Sequence, residues 1–308
     1  MKQIISLIRV TLLAFFIFID ACSQETPSQN LSTSNSLTGP YLGQESPGLQ
    51  AVRFPAQDYL SNSNWFWHGP LSFSPDGTEM YMTKYLNNGL MQINWARIVN
   101  NNWTLLETAS FAAAIDENNP FVHADGNVVY FISDKSSGRF WKSERTDIGW
   151  SNPENINIPD PEEEGGWGWQ MSVTRDHSIY FDYMMSNGFN TFVSRFVDGV
   201  YQTPERLPDN INADEAFTPF IDPDEEYIIF SSRRDGTYGS FDLFISFKNE
   251  ADSWSDPVNM GNLINSPRSE FAPYVTIDEN HLFFFTERIG DSGYNPYWIS
   301  SEVIENLR

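Results

Sequence analysis

Nearly unbroken apolar runs recur along the chain, each entered from a polar turn that carries an aspartate. The clearest unit is Pro70-Leu71-Ser72-Phe73-Ser74-Pro75-Asp76-Gly77, followed by the run 78–83. It returns as 120–126 with 127–133, as 171–177 with 178–183, as 219–225 with 226–232, and as 273–279 with 280–286. The turn aspartates are Asp76, Asp125, Asp176, Asp224 and Asp278, spaced 49, 51, 48 and 54 residues apart. An aspartate suits such a turn because its carboxylate bonds nearby backbone N–H groups. The glycine or polar residue that follows lets the chain reverse tightly. Runs such as Tyr227-Ile228-Ile229-Phe230 and Leu282-Phe283-Phe284-Phe285 do not alternate, which predicts strands buried on both faces.

Each pair of predicted strands is followed by a third, over 90–95, 140–143, 191–196, 242–246 and 296–300. A fourth is marked by an aromatic residue, often with a proline: Trp103, Trp150 to Pro153, Tyr201 to Pro204, and Trp254 to Pro257. Four strands in about 50 residues make one propeller blade. The pattern therefore predicts an all-β fold, a single β-propeller of five four-stranded blades over residues 47–308. The fifth repeat lacks its own fourth strand. The segment Gln50-Ala51-Val52-Arg53-Phe54-Pro55 has the character to supply it and to close the ring, which removes exposed edges. The alternative, six blades, would need about 40 further residues.

The first residues follow a different pattern. Lys2 and Arg9 flank the start of an apolar run over 10–19, too short to span a bilayer, which takes roughly 20 apolar residues. It has the form of a secretory signal, ending at Ile19-Asp20-Ala21-Cys22. Cys22 is the only cysteine. The segment resembles a bacterial lipoprotein signal, which implies a signal peptide over 1–21 and lipidation of Cys22. Asp20 departs from the usual pattern, and an ordinary signal peptide or an uncleaved anchor are the alternatives. Residues 22–46 are rich in Ser, Thr, Asn, Gln, Pro and Gly, the composition of a flexible tether. With no second cysteine there is no intramolecular disulfide, so the fold must stand on its core.

The repeat itself resembles the PD40 (WD40-like, TolB-like) propeller family. Ser74-Pro75-Asp76-Gly77 with Met80-Tyr81-Met82, Asp222-Pro223-Asp224 with 227–232, Ser231-Ser232-Arg233-Arg234-Asp235-Gly236, and Phe241-Asp242-Leu243-Phe244 carry the likeness. It spans about residues 48–308 and implies the fold rather than a reaction. The third copy departs from it, with Arg175-Asp176-His177 in the turn and a tryptophan-rich entry.

Aromatics make up 15% of the chain, enough for a large core. The net charge is −23, which disfavours nucleic acid as a partner because phosphate binding needs a basic face. No metal-ligand spacing links His68, His123, His177 and His281, and no phosphate loop or nucleophile motif appears. No metal, cofactor or catalytic motif is therefore predicted. The acidic stretch 160–166 lacks the alternating ligands of a calcium loop and is expected to be a solvated loop.

Propeller ligands usually sit where the innermost strands converge. The residues entering each first strand are the candidates: Trp67 and His68; Glu117 and Asn118, with Asn119; Trp167, Trp169 and Gln170; Glu215 and Phe217; and Glu270, with Phe271. Indole rings with carboxylates and amides suit a sugar. The competing assignment for the glutamates is structural, tying neighbouring blades together, and for the tryptophans plain packing. The expected function is an exported, membrane-tethered module that binds a glycan, a peptide or a partner protein of the envelope. The expected location is the outer membrane or cell surface, with the periplasm as alternative. The other functional reading is a carbohydrate-active hydrolase or lyase, with Glu117, Glu215 and Glu270 supplying acid and base.

Overall fold

The computed structural model describes residues 37–60, 67–112, 116–133, 139–161, 168–186, 188–288, 290–291 and 293–308, and only the backbone of Trp67 and His68. Cys22 and the signal-like segment, Trp167, and residues 162–166 of the acidic stretch lie outside the described residues.

The described chain is a five-bladed propeller. The first strand of each blade is Trp67–Phe73, Glu117–Val122, Met171–Val173, Phe217–Ile221 or Glu270–Val275. Each contacts the first strand of the next blade, and the last contacts the first, so the ring is closed. Second strands (Glu79–Tyr85, Val128–Ser133, Ile179–Met185, Tyr227–Ser232 and His281–Thr286) and third strands (Met91–Val99, Phe140–Thr146, Gly188–Ser194, Asp242–Phe247 and Asn295–Ser300) pair antiparallel outward from these. The second strands are buried almost throughout, as their continuous apolar runs require.

The turn between first and second strands explains the repeated aspartate. Asp76 accepts the Ser74 hydroxyl at 2.6 Å and the Thr78 N–H at 3.1 Å. Asp125, Asp176 and Asp278 accept the N–H two residues on, at 2.7, 3.1 and 3.2 Å. Partial burial raises the pKa of these four carboxylates, but the hydrogen bonds outweigh it and hold them below the usual range. Blade 4 departs from the expected anchor. There Asp222 accepts the Asp224 and Glu226 N–H groups, while Asp224 reaches across to Arg175 of blade 3 at 2.7 Å.

The aromatic landmarks of the fourth strands mark something else. Trp103, Trp150 and Tyr201 sit in two-residue hairpin returns that extend the third strand or its continuation, and Trp254 bridges Lys248. The true fourth strands follow them: Glu107–Thr108, Glu154–Ile156, Glu205–Arg206 and Val258–Asn259. In the fifth blade the fourth strand is Val52–Arg53, paired with Trp298 and Tyr297. The Phe54 N–H donates to the Pro296 carbonyl at 2.8 Å. Its fully buried ring meets Phe73, Phe283 and Trp298 edge-on, with centroids 5.1–6.1 Å apart.

The packed unit begins earlier than the tether composition suggests. Leu37 and Gly39 give their carbonyls to the backbone and indole N–H of Trp103, at 3.0 and 2.8 Å. Tyr41 and Leu42 are buried, with the Tyr41 ring edge-on to Phe73 and His281. Two apolar side chains in a polar stretch are enough to dock it.

Phe54→Ala removes a buried ring at the seam between the first and last blades. It is expected to destabilise the protein by about 3–5 kcal/mol. Denaturant unfolding measures this, and a loss below about 1 kcal/mol would show that the seam does not hold the ring.

Candidate functional site

A bulge marks the entry of four first strands. Pairing slips between His68 and Ser72, Asn118 and Phe121, Phe217 and Phe220, and Phe271 and Tyr274. At each slip a residue with positive φ precedes a proline: Gly69, Asn119, Thr218 and Ala272. Proline has no N–H to leave unpaired, and a bulge bends its strand, so the four strands share one local bend. Positive φ is expected of glycine and tolerated by asparagine, whereas at the β-branched Thr218 it is strained. Thr218 is held there by its N–H, 2.9 Å from Asp182 Oδ2, and by its hydroxyl, 2.9 Å from Ser231 Oγ.

Below the bulges the axis is filled. Phe121 of blade 2 meets Phe220 of blade 4 at 6.4 Å between centroids, and both meet Tyr274 of blade 5 at about 6 Å. The Tyr274 hydroxyl donates to the Phe73 carbonyl and accepts the Phe73 N–H, each at 3.1 Å. The mouth is therefore a closed cup and not a through-channel. Its cavity is about 230 Å³. Gly69, Asn119, Gln170, Thr218 and Ala272, one residue from each blade, contribute to its lining. Trp169, Phe217, Phe271, Phe285 and Tyr294 supply the aromatic part, on blades 3, 4 and 5. The rings continue outward, with Phe189 4.4 Å and Phe271 5.8 Å from Phe217.

The amides are held closely. The Asn119 N–H donates to Thr83 Oγ1 at 2.9 Å, and its Nδ2 donates to the Trp169 carbonyl. A Cβ at Gly69 would collide with Asn119 Oδ1, so the glycine there serves the amide as well as the backbone. Asn119 Oδ1 and Gln170 Oε1 are buried and have no hydrogen-bond partner among the described residues.

Behind the cup lies Asp182, fully buried on the second strand of blade 3. It accepts the N–H groups of Trp169 at 2.5 Å, Gln170 at 3.1 Å and Thr218 at 2.9 Å. Burial lifts its pKa to about 6, against the pull of these three donors. Asp182 thus joins blade 3 to blade 4 and fixes the backbone of three cup residues.

Of the sequence-predicted residues, Trp169, Gln170 and Phe217 line the cup, together with Asn119 and Phe271. The acids do not. Glu117 is fully buried in its strand and Asn118 is buried beside it, neither of them lining the cavity. Glu270 is fully buried and binds Ser266 and Thr286 through Oε1, at 2.6 and 2.8 Å. Burial raises its pKa against those bonds. Glu215 pairs with Arg233 at 2.9 Å. Arg234 instead caps the carbonyls of Asn210, Ile211 and Ala213, and Arg288 bonds the Ile264 carbonyl. The expected ring of acids, amides and aromatics is thus a cup of amides and aromatics. Trp67 and His68 enter the first strand of blade 1, but their side chains, like Trp167, lie outside the described residues. Among the described residues no three His, Cys, Asp or Glu side chains converge on a metal position.

The structure is similar to a protein provisionally assigned as TolB from Agrobacterium tumefaciens, at 13% identity and a TM-score of 0.51, covering 78% of this chain and 79% of that one. It is also similar to an α-L-arabinofuranosidase from Podospora anserina in complex with cellotriose, at 14% identity and a TM-score of 0.52, covering 86% and 94%. At these identities the likeness is one of fold. No family model and no curated protein matches the sequence.

Because its pKa is raised on folding from 3.8 to about 6, Asp182 binds more protons in the folded than in the unfolded state between those values. Its contribution to stability therefore falls as pH rises from about 4 to 6. The stability difference between wild type and Asp182→Asn is expected to shift against wild type by up to about 3 kcal/mol over that window. A difference that moves in wild type's favour on raising the pH would show that the three N–H donors dominate instead.

Proposed function

We propose that this protein is an exported, lipid-tethered propeller that acts as a binding module, with the aromatic and amide cup as its ligand site. One observation carries the reading. Two buried amide oxygens in the cup, on Asn119 and Gln170, lack partners among the described residues. A folded chain leaves an acceptor so placed at a cost in free energy, and a bound donor recovers it. The rings around them supply apolar contact area of the kind that dominates recognition. The candidate acid and base residues support binding over hydrolysis, since Glu270 and Glu215 are engaged elsewhere and none of the three lines the cup. Glycosidase chemistry needs two carboxyl groups facing one bond, about 5–9.5 Å apart. The cup is smaller than the roughly 300–1,000 Å³ of most small-molecule sites, so it suits the tip of a glycan, peptide or partner protein. Export and tethering rest on the signal-like segment and on Cys22.

A glycan and peptide binding screen on the full-length protein tests the site. Trp169→Ala and Phe217→Ala are each expected to weaken any ligand found at least tenfold. Equal binding by wild type and both variants would place the site elsewhere. Cys22→Ser is expected to move the protein from the membrane to the soluble fraction, and retention there with an uncleaved N-terminus, read by mass spectrometry, would rule out lipidation.

A further inference from the structure

Taking the cup as the ligand site, we infer that it receives an alkylammonium group, the charged tip of a lysine side chain or of a free amine. The inference rests on that site assignment and goes on to name the chemistry.

Among the described residues, the two buried polar atoms left without partners at the cup are both acceptors. Asn119 Oδ1 and Gln170 Oε1 belong to side chains only 2% and 3% exposed. They need donors, and an ammonium group has three donors and no acceptor. A sugar hydroxyl brings an acceptor with every donor.

The walls add a second argument. Trp169, Phe217, Phe271 and Tyr294 surround the opening, and aromatic rings attract a cation through their quadrupole. None of the described residues lining the cup is basic. Half-buried Trp169, Phe217 and Phe271 and exposed Tyr294 form the lip, so the rings are open to an incoming group.

The third argument is electrostatic. Asp182 sits directly behind the lining, bonded to the backbone of Trp169, Gln170 and Thr218. The buried acid favours positive charge at the cup, with part of its field offset by the Arg139 guanidinium, which is bonded to the Gly168 carbonyl. The net charge of −23 raises the local concentration of cations at the surface. A cavity of about 230 Å³ admits one such side-chain tip and not a folded ligand.

The test is a calorimetric titration of the full-length protein at fixed ionic strength with four probes. These are Nα-acetyl-lysine methylamide, its Nε-acetylated form, the norleucine analogue, and 1,5-diaminopentane. The lysine probe is expected to bind at least tenfold more tightly than the two neutral ones. Gln170→Leu removes an acceptor at similar volume, and should weaken lysine binding about tenfold without weakening norleucine binding. Tyr294→Leu, at the exposed lip where folding is not at risk, should weaken it about threefold or more. Diaminopentane binding as tightly as the lysine probe identifies a free amine as an adequate source, and lysine-probe binding alone identifies a protein partner. Norleucine binding equal to lysine, or lysine binding unchanged in both variants, overturns the ammonium assignment. If no ammonium probe binds while a neutral glycan or peptide binds in a Trp169-dependent way, the ammonium assignment falls and the cup remains the ligand site. If nothing binds in that way, both fall.

Discussion

Closure of the ring is the constraint on which the rest depends. Five sheets radiate from one axis, and each buries its faces against its two neighbours. An open ring would leave the first and last blades with a bare apolar face each. The chain meets this with two residues: Val52 and Arg53 pair with Trp298 and Tyr297, more than 240 positions later. Phe54 then drives its ring between Phe73 of blade 1 and Phe283 and Trp298 of blade 5. Such a contact has high closure entropy, so burial around it must be dense. The docked segment carrying Tyr41 and Leu42 extends the same seam. Everything at the mouth inherits its geometry from that closure, because the cup exists only while five first strands face one axis.

The parts of the fold that repeat are the parts that the sequence displays. The turn aspartates and the double-faced apolar strands recur five times, and each recurrence reinforces the others. The fourth strands are only two or three residues long, so they carry almost no pattern of their own. The aromatic residues before them pack the hairpin returns, as in the Tyr81–Trp150 contact, and carry a stronger pattern than the pairing segment itself. Asp224 shows another limit. Its place in the repeat is that of Asp76, yet Arg175 of the neighbouring blade takes its carboxylate and Asp222 takes over the turn. Contacts between blades are invisible to a pattern read within one blade.

The cup was half legible for the same reason. Trp169, Gln170 and Phe217 line the cup because they enter first strands, a position the sequence marks. Glu117, Glu215 and Glu270 share that position in sequence but not in space. Glu117 and Glu270 are buried in their strands just before the bulge, and Glu215 lies ahead of its strand and pairs with Arg233. The bulge has a sequence sign, an x-Pro step at Gly69, Asn119, Thr218 and Ala272, legible once its meaning is known. Tyr294 has no such sign, being placed by a loop. Asp182 does have one: it is the acid within the apolar strand Ile179–Met185.

Blade 3 is where the repeat yields to the site. Its first strand has neither the proline nor the bulge of the other four. The bend that a bulge gives elsewhere is replaced by Asp182, whose carboxylate gathers Trp169, Gln170 and the neighbouring Thr218 by their N–H groups. A carboxylate is a costly way to hold a backbone, since its charge must be taken out of water. A threonine does the equivalent work in other blades, as Thr83 does for the N–H of Asn119 and Thr218 for that of Ala272. The acid therefore contributes something that a hydroxyl would not: a negative charge fixed behind one wall of the cup, with the Arg139 guanidinium as its neighbour. That charge, together with the described aromatics of the cup, which lie on blades 3, 4 and 5, makes the mouth of a nearly symmetric ring asymmetric.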